Sequence, residues 1–379
     1  MKSPAAEGEI MKVICNQSEL MNSLNIALRA VPSKTSYPVL ECFLLNAASE
    51  QLVITTNDME IGIETKLSCR VDTPGKIAIN ARIFSDIVRK LPEDIVFLET
   101  DENLIMTITC GKAKFRISGT SGEDFPPLPD YEKTNVVKIS QYTLKEMISK
   151  TIFAISANEN NVIMTGESFE VEGDKLRITA LDGHRIAIRN IELRAQSADK
   201  CQVIIPGKTL NEISKIMSGN IDDEVAICFM DRQVIFEFGT TVVVSRLIEG
   251  KYYNVNPMIN SSYTTKVVVN KKDFTDCIDR AILLVKESEK RPVIIDIRDG
   301  VMSFNMNSSI GTMDEDISAI KEGNDLTIGF NPKFLMDALR AIDEEDITLY
   351  LTTAKQPCFL RDAEDSYIYL ILPVNFVGR

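Results

Sequence analysis

Three stretches of the chain share one rhythm of apolar and polar positions. KVICNQSELMNSLNIALRAV from residue 12, VVKISQYTLKEMISKTIFAI from residue 136 and KVVVNKKDFTDCIDRAILLV from residue 266 each begin with a short β-branched run. Each then passes through Asn16, Ser140 or Asn270 into apolar residues at helical spacing. A β-branched run predicts a strand, and apolar recurrence every three and four residues predicts a helix. The polar residue between them suits an N-cap, because its side chain can accept a hydrogen bond from an orphan helix N–H. Leu20, Leu144 and Phe274 fall in the same register, 124 and 130 residues apart.

A second strand-to-helix unit recurs with nearly the same period. KIAINARIFSDIVRKL from residue 76, QVIIPGKTLNEISKIM from 202 and DLTIGFNPKFLMDALRAI from 325 place Phe84, Leu210 and Leu335 at intervals of 126 and 125. Two independent signals with one period predict three copies of one unit. Alternating strands fill the space between the helices, with LVITTNDMEIGI at 52, LRITALDGHRIAI at 176 and VMSFNMNSSIGTM at 301 in corresponding places. Turn signals such as EGD at 172 to 174 and RDG at 298 to 300 precede two of them. Hairpin-like pairs follow the second helix of each copy. Pro-, Asn- and Ser-rich linkers at 125–135 and 253–265 divide the chain into domains at 11–132, 133–260 and 261–379. Residues 1–10 precede a second methionine and read as a leader or appended extension. The predicted class is α+β, with three similar domains, each of two helices on antiparallel sheets.

Composition excludes some classes. At 44% hydrophobic and 26% charged, with no low-complexity tract, the chain is globular rather than disordered. No run approaches the roughly 18 apolar residues of a membrane helix, and the start lacks a signal-peptide core, which predicts a cytoplasmic protein. The eight cysteines are scattered without a C-x-x-C pair, and a single histidine accompanies them. They read as buried free thiols rather than as a disulfide framework or zinc site.

The net charge of −13 at first argues against a nucleic-acid partner. Its distribution reverses that argument, because the six helical stretches together carry +6. If they share a surface, an acidic protein presents a basic face to a polyanion. Arg82, Arg89, Lys145, Lys150, Lys208, Lys215 and Lys333 are the candidate phosphate contacts, without base readout. The competing reading is an ordinary solvated set of helix faces.

These features resemble the bacterial DNA polymerase III β subunits, the sliding clamps, over nearly the whole chain from Met11. The likeness rests on the threefold pattern, DFP at 124–126, DGHRIA at 182–187, LIEGKYY at 247–253 and YLILPV at 369–374. It implies the DNA clamp fold and a head-to-tail homodimeric ring around double-stranded DNA, bound without sequence preference. It implies a non-catalytic processivity factor with no cofactor and no metal. The implied partners are the polymerase III α (catalytic) subunit, the clamp loader and other clamp-motif proteins.

Site residues carry over position by position. Ring closure would use Phe115 and Ile117 on the last strand of the first domain, and Leu283 and Leu284 at the first helix of the third. A peptide groove would have Met164, Leu181, Gly183, His184, Arg185 and Ile186 on one side. Tyr253, Pro257, Met258 and Pro357 would lie nearby, and Leu370, Ile371, Leu372, Pro373 and Val374 would complete it. Lys34 matches a DNA-contact position. Two positions depart from the pattern: Asn375 stands where the family commonly has Arg, and Pro257 where many members carry a basic residue.

Two rival readings remain. Asp182 and His184 could share a strand face as an acid–base pair, though no nucleophile motif, phosphate loop or carboxylate cluster accompanies them. A repeat scaffold that binds only proteins is the other. His184 and Arg185 occur in one copy of the repeat alone, which points to a task of that copy, with both residues at the polar rim of the groove.

Overall fold

The structure is a computed structural model that describes residues 10–133, 135–193, 200–259, 262–286 and 291–376. The expected leader, at residues 1–10, lies outside the described residues but for Ile10, and the expected 260/261 boundary lies outside them too.

All six expected helices form: α1 (Gln17–Ala27), α2 (Ala81–Lys90), α3 (Gln141–Ser149), α4 (Gly207–Ile216), and, after a short unexpected α5 (Asn256–Ile259), α6 (Lys271–Ile282) and α7 (Pro332–Ala341). Asn16 caps α1 by accepting the Ser18 N–H at 3.1 Å, and Asn270 caps α6 by accepting those of Lys272 and Asp273 at 3.0 and 3.2 Å. The second helices of the first and third repeats use the same device. Asn80 accepts from Ile83 and Asn331 from Lys333, each at 3.0 Å. Each such cap stabilises its helix by about 1 kcal/mol. The register residues Leu20, Leu144, Phe274, Phe84, Leu210 and Leu335 are all fully buried.

The chain divides into two compact units, Met1–Tyr142 with Lys215–Leu247, and Thr143–Ser214 with Ile248–Arg379. The division runs through the central repeat rather than between repeats. In the first unit a 13-stranded antiparallel sheet continues from the first repeat into central-repeat strands. Thr241–Arg246 pairs with Ile61–Ser68, Val243 opposite Ile63. Its core sets Phe43 edge-on to Phe84, ring centroids 6.4 Å apart, among Leu20, Leu24, Leu45 and Leu52. Each large side chain so buried contributes roughly 1.5–3 kcal/mol.

The second unit carries a 12-stranded sheet in which Arg185–Glu192 pairs with Tyr367–Ile371, Ile186 opposite Leu370 and Ala187 opposite Tyr369. Successive side chains on a strand point to opposite faces. Tyr369 and Ile371 therefore enter the core around Phe274, Phe304 and Leu335, while Ile368 and Leu370 enter a separate cluster with Leu181 and Ile186.

Candidate partner groove and interfaces

The groove is built on the turn between the strands Lys175–Leu181 and Arg185–Glu192. Asp182 Oδ1 accepts the backbone N–H of His184 at 2.9 Å and of Arg185 at 3.1 Å. Gly183 takes φ +86, a conformation that costs glycine little. This settles the acid–base reading of the pair. The Asp182–His184 hydrogen bond comes from the histidine backbone, and the other Asp182 oxygen takes Arg185 Nε at 2.9 Å. The His184 ring lies instead against Phe334, centroids 6.2 Å apart.

Arg185 departs from the expected rim position. Its side chain is buried, donating to Asp182, to Asp337 at 2.5 Å and to the Phe153 carbonyl, with the guanidinium 4.3 Å from the Phe334 ring centroid. Burial opposes the charge, but the nearby Tyr369 and the two carboxylates overcome it and hold the pKa above the ordinary arginine value. Arg185 thus anchors the turn to α7, leaving His184 as the exposed member of the pair.

An apolar floor lies beside the turn. Leu181, Ile186 and Leu370 pack with Tyr252, Val255, Ile259 and Phe359, and Met164 packs against them half-buried. Tyr253, Pro257 and Met258 stand exposed, and Pro357 is half-buried just before the strand Cys358–Arg361. Ile371 is a second departure among the expected groove residues. It is fully buried on the opposite face of its strand, because the alternation that puts Leu370 in the floor turns its neighbour away.

The strap Leu372–Val374 bounds a cavity of about 450 Å³ with His184, Asn331, Lys333 and Phe334, closed further by Val285, Lys286 and Arg291. Lys333, expected among the phosphate contacts, is exposed and lines this cavity. Phe334 and Asn331 were not foreseen, although the cap pattern FNPKF at the start of α7 places both at one helix end. A larger open depression of about 910 Å³ surrounds Glu170, Glu172, Asp174 and Glu192, and charged and amide side chains dominate its lining.

The other expected cations divide in two. Lys34, Arg82, Lys208 and Lys215 are exposed, Lys145 is half-buried, and Arg89 is exposed beside Asp86 at 2.9 Å. Lys150 is not an open phosphate contact, because it is half-buried between Glu146 at 2.7 Å and Asp343 at 2.6 Å. Burial pulls its pKa down, but the two carboxylates outweigh that and hold it above the ordinary lysine value.

Two half-strands are open at one edge. Residues 113–118 pair with Ile105–Cys110, whereas Gly75–Asn80 reaches only Gly119–Ser121. Residues 312–318 pair with Val301–Asn307, whereas Thr265–Asn270 reaches only Ala319–Gly323. Among the described residues nothing pairs with the free side of either. Phe115 is exposed and Ile117 half-buried on the first; Leu283 is 75% exposed just past α6 and Leu284 half-buried.

Among the described residues no three His, Cys, Asp or Glu side chains gather as a metal site, and no helix is long and apolar enough to cross a membrane. Buried cysteines are poor nucleophiles here; burial pushes Cys15 up to about 12.

Three repeats of paired helices over two long antiparallel sheets define a clamp-fold protein. The DNA polymerase III beta subunit models match in chain order, the N-terminal domain over residues 11–129, the central domain over 138–254 and the C-terminal domain over 258–375. The chain belongs to the DNA polymerase III beta subunit family, the sliding clamps. It is 34% identical to a beta sliding clamp of Staphylococcus epidermidis, with 97% of this chain and all of that protein covered. A putative DNA polymerase III beta subunit from Eubacterium rectale superposes with TM-score 0.93 at 51% identity, and the DNA polymerase sliding clamp of Bacillus subtilis with TM-score 0.93 at 34%. In both, 97% of this chain covers all of the other.

Proposed function

We propose that this chain is the processivity clamp of a replicative polymerase. Two copies join head to tail, encircle duplex DNA, slide on it without reading bases, and hold the polymerase and other DNA-handling proteins through the groove of the central repeat. The repeats at 11–132, 133–260 and 261–379 are its domains, and the chain acts inside the cell without a catalytic step of its own. A closed ring cannot leave unbroken DNA, so its hold is topological. Weak phosphate contacts from Lys34, Arg82, Arg89, Lys145, Lys208 and Lys215 need only keep the duplex centred. Apolar anchors of a partner segment would fill the floor at Leu181, Ile186 and Leu370 and the cavity under the strap.

The observation that carries this reading is the pair of open half-strands. One presents Lys114 and Arg116 on its outer face and Phe115 and Ile117 on the other. The second presents Asp314 and Asp316 on its outer face, with Met313 and Leu283 on the helix side. Apolar meets apolar and cation meets carboxylate when one copy's edge joins the next, and closure removes two edges that would invite aggregation.

The test combines two measurements. Leu283→Asp, at an exposed position, should change stability by less than about 0.5 kcal/mol, yet convert the dimer to monomers in sedimentation; an unchanged dimer removes Leu283 from the interface. Protein loaded on nicked plasmid by a clamp loader should be lost when the plasmid is linearised. Retention would indicate an ordinary DNA binder, and no loading would favour a scaffold for proteins alone.

A further inference from the structure

Beyond the strap, the chain departs from the family pattern at Asn375 and continues into Phe376. The described part of this segment lies on the strand Leu326–Phe330, the last strand of its sheet, which pairs only with Val293–Arg298. Val374 donates its N–H to the Gly329 carbonyl at 2.8 Å, and Leu372 donates to the His184 carbonyl at 2.8 Å. The strap is therefore tied at both ends by backbone bonds, one to the groove turn and one to the sheet edge.

Gly329 is buried, and the Phe376 ring lies over the space that a side chain would need. A Cβ at residue 329 would sit 2.8 Å from Phe376 Cδ1 and 3.1 Å from the Val374 carbonyl oxygen. Real Cβ contacts do not approach so closely, so the ring can seat there only because residue 329 is glycine. Two and five residues further on, Asn331 and Phe334 line the cavity that the strap bounds. The ring thus seats on the strand that leads into the cavity lining.

We propose that Phe376 and Gly329 form a clip that fixes Leu372–Val374 as a wall of the groove, with Phe376 a positioning residue for partner peptides. The proposal rests on the groove reading above. A single backbone bond at a sheet edge frays readily, because local opening there exposes little apolar surface. The half-buried Phe376 ring supplies that surface, so the strap stays in place before a partner arrives and the partner does not lose affinity to ordering it.

The test uses the full chain and two readouts. In Phe376→Ala, amide exchange at Leu372 and Val374 should accelerate about tenfold, the equivalent of losing about half of a full aromatic burial, and affinity for a fluorescent peptide with Leu and Phe anchors should fall by a similar factor. Gly329→Ala should reproduce both effects by displacing the ring, and Phe376→Leu should restore most of each; dimerisation and melting temperature should not move. Unchanged exchange in Phe376→Ala overturns the clip. Faster exchange with unchanged affinity overturns the positioning role. If the unsubstituted chain fails to bind the peptide, the groove reading and the positioning role fall together, and the exchange result still decides the clip.

Discussion

Asp58 and Asp182 occupy the same place in two copies of one turn. Asp58 Oδ1 accepts the N–H of Glu60 at 2.9 Å and of Ile61 at 2.7 Å, as Asp182 does for His184 and Arg185. The residue closing the turn differs, a fully buried Ile61 in the first repeat and an 8% exposed Arg185 in the second. The preceding strands repeat the contrast. Leu44 faces Thr55 as Ser168 faces Thr179, so Phe43 and Glu167 are equivalent, both fully buried. In the third repeat Val293 takes that position. The aspartate and backbone fix the turn's shape, which leaves the other positions free to vary. A buried ionisable group is less stabilising than hydrocarbon at such positions, and of these equivalent positions only those of the central repeat hold one, Glu167 and Arg185.

Exchanging the closing residues should break the comparison most severely. Ile61→Arg buries a guanidinium at a position only 1% exposed, and should cost about 4 kcal/mol or more in denaturant unfolding. The reverse change, Arg185→Met, strands the carboxylates of Asp182 and Asp337 and should cost roughly 3 kcal/mol. A cost below about 1 kcal/mol for Arg185→Met would show that the fork holds nothing in place.

Glu167 sharpens the comparison through pH. Burial pushes its carboxyl from 4.5 up to about 8, against the opposing pull of the nearby Thr151 hydroxyl. The folded state therefore binds a proton that the unfolded state has released. Wild-type stability should be greatest below the unfolded value of 4.5 and fall as pH rises towards about 8. Glu167→Gln should abolish that decline, matching wild type near pH 4 and exceeding it by up to roughly 5 kcal/mol at pH 9. Parallel pH profiles of melting temperature would contradict this.

The smallest effect belongs to the exposed residue. His184→Ala should weaken binding of the fluorescent peptide by about fivefold, near 1 kcal/mol, and leave stability and dimerisation unchanged. Full retention of affinity would remove His184 from the site.

The helices and most strands were legible because caps and periodicity are local signals, as at Asn16 and Asn270. The sharing of the central repeat between two sheets was not, since pairing Val243 with Ile63 joins residues far apart in sequence. That Leu181, Ile186 and Leu370 belong together was legible by family likeness. Side-chain orientation was less so: Ile371 turns away, Arg185 goes inward to Asp337, and Lys150 is held by Asp343, each decided by a partner distant in the chain. Phe334 went unnoticed because an aromatic in a helix reads as core until its neighbours are known.

The most direct measurement asks which turn a partner touches. A peptide carrying a photoreactive group at its Phe anchor should, on irradiation, attach at His184, Phe334 or the strap Leu372–Val374. Adducts at the equivalent turns, residues 58–61 or 308–311, or spread evenly among the three copies, would contradict the assignment of the site to the central repeat.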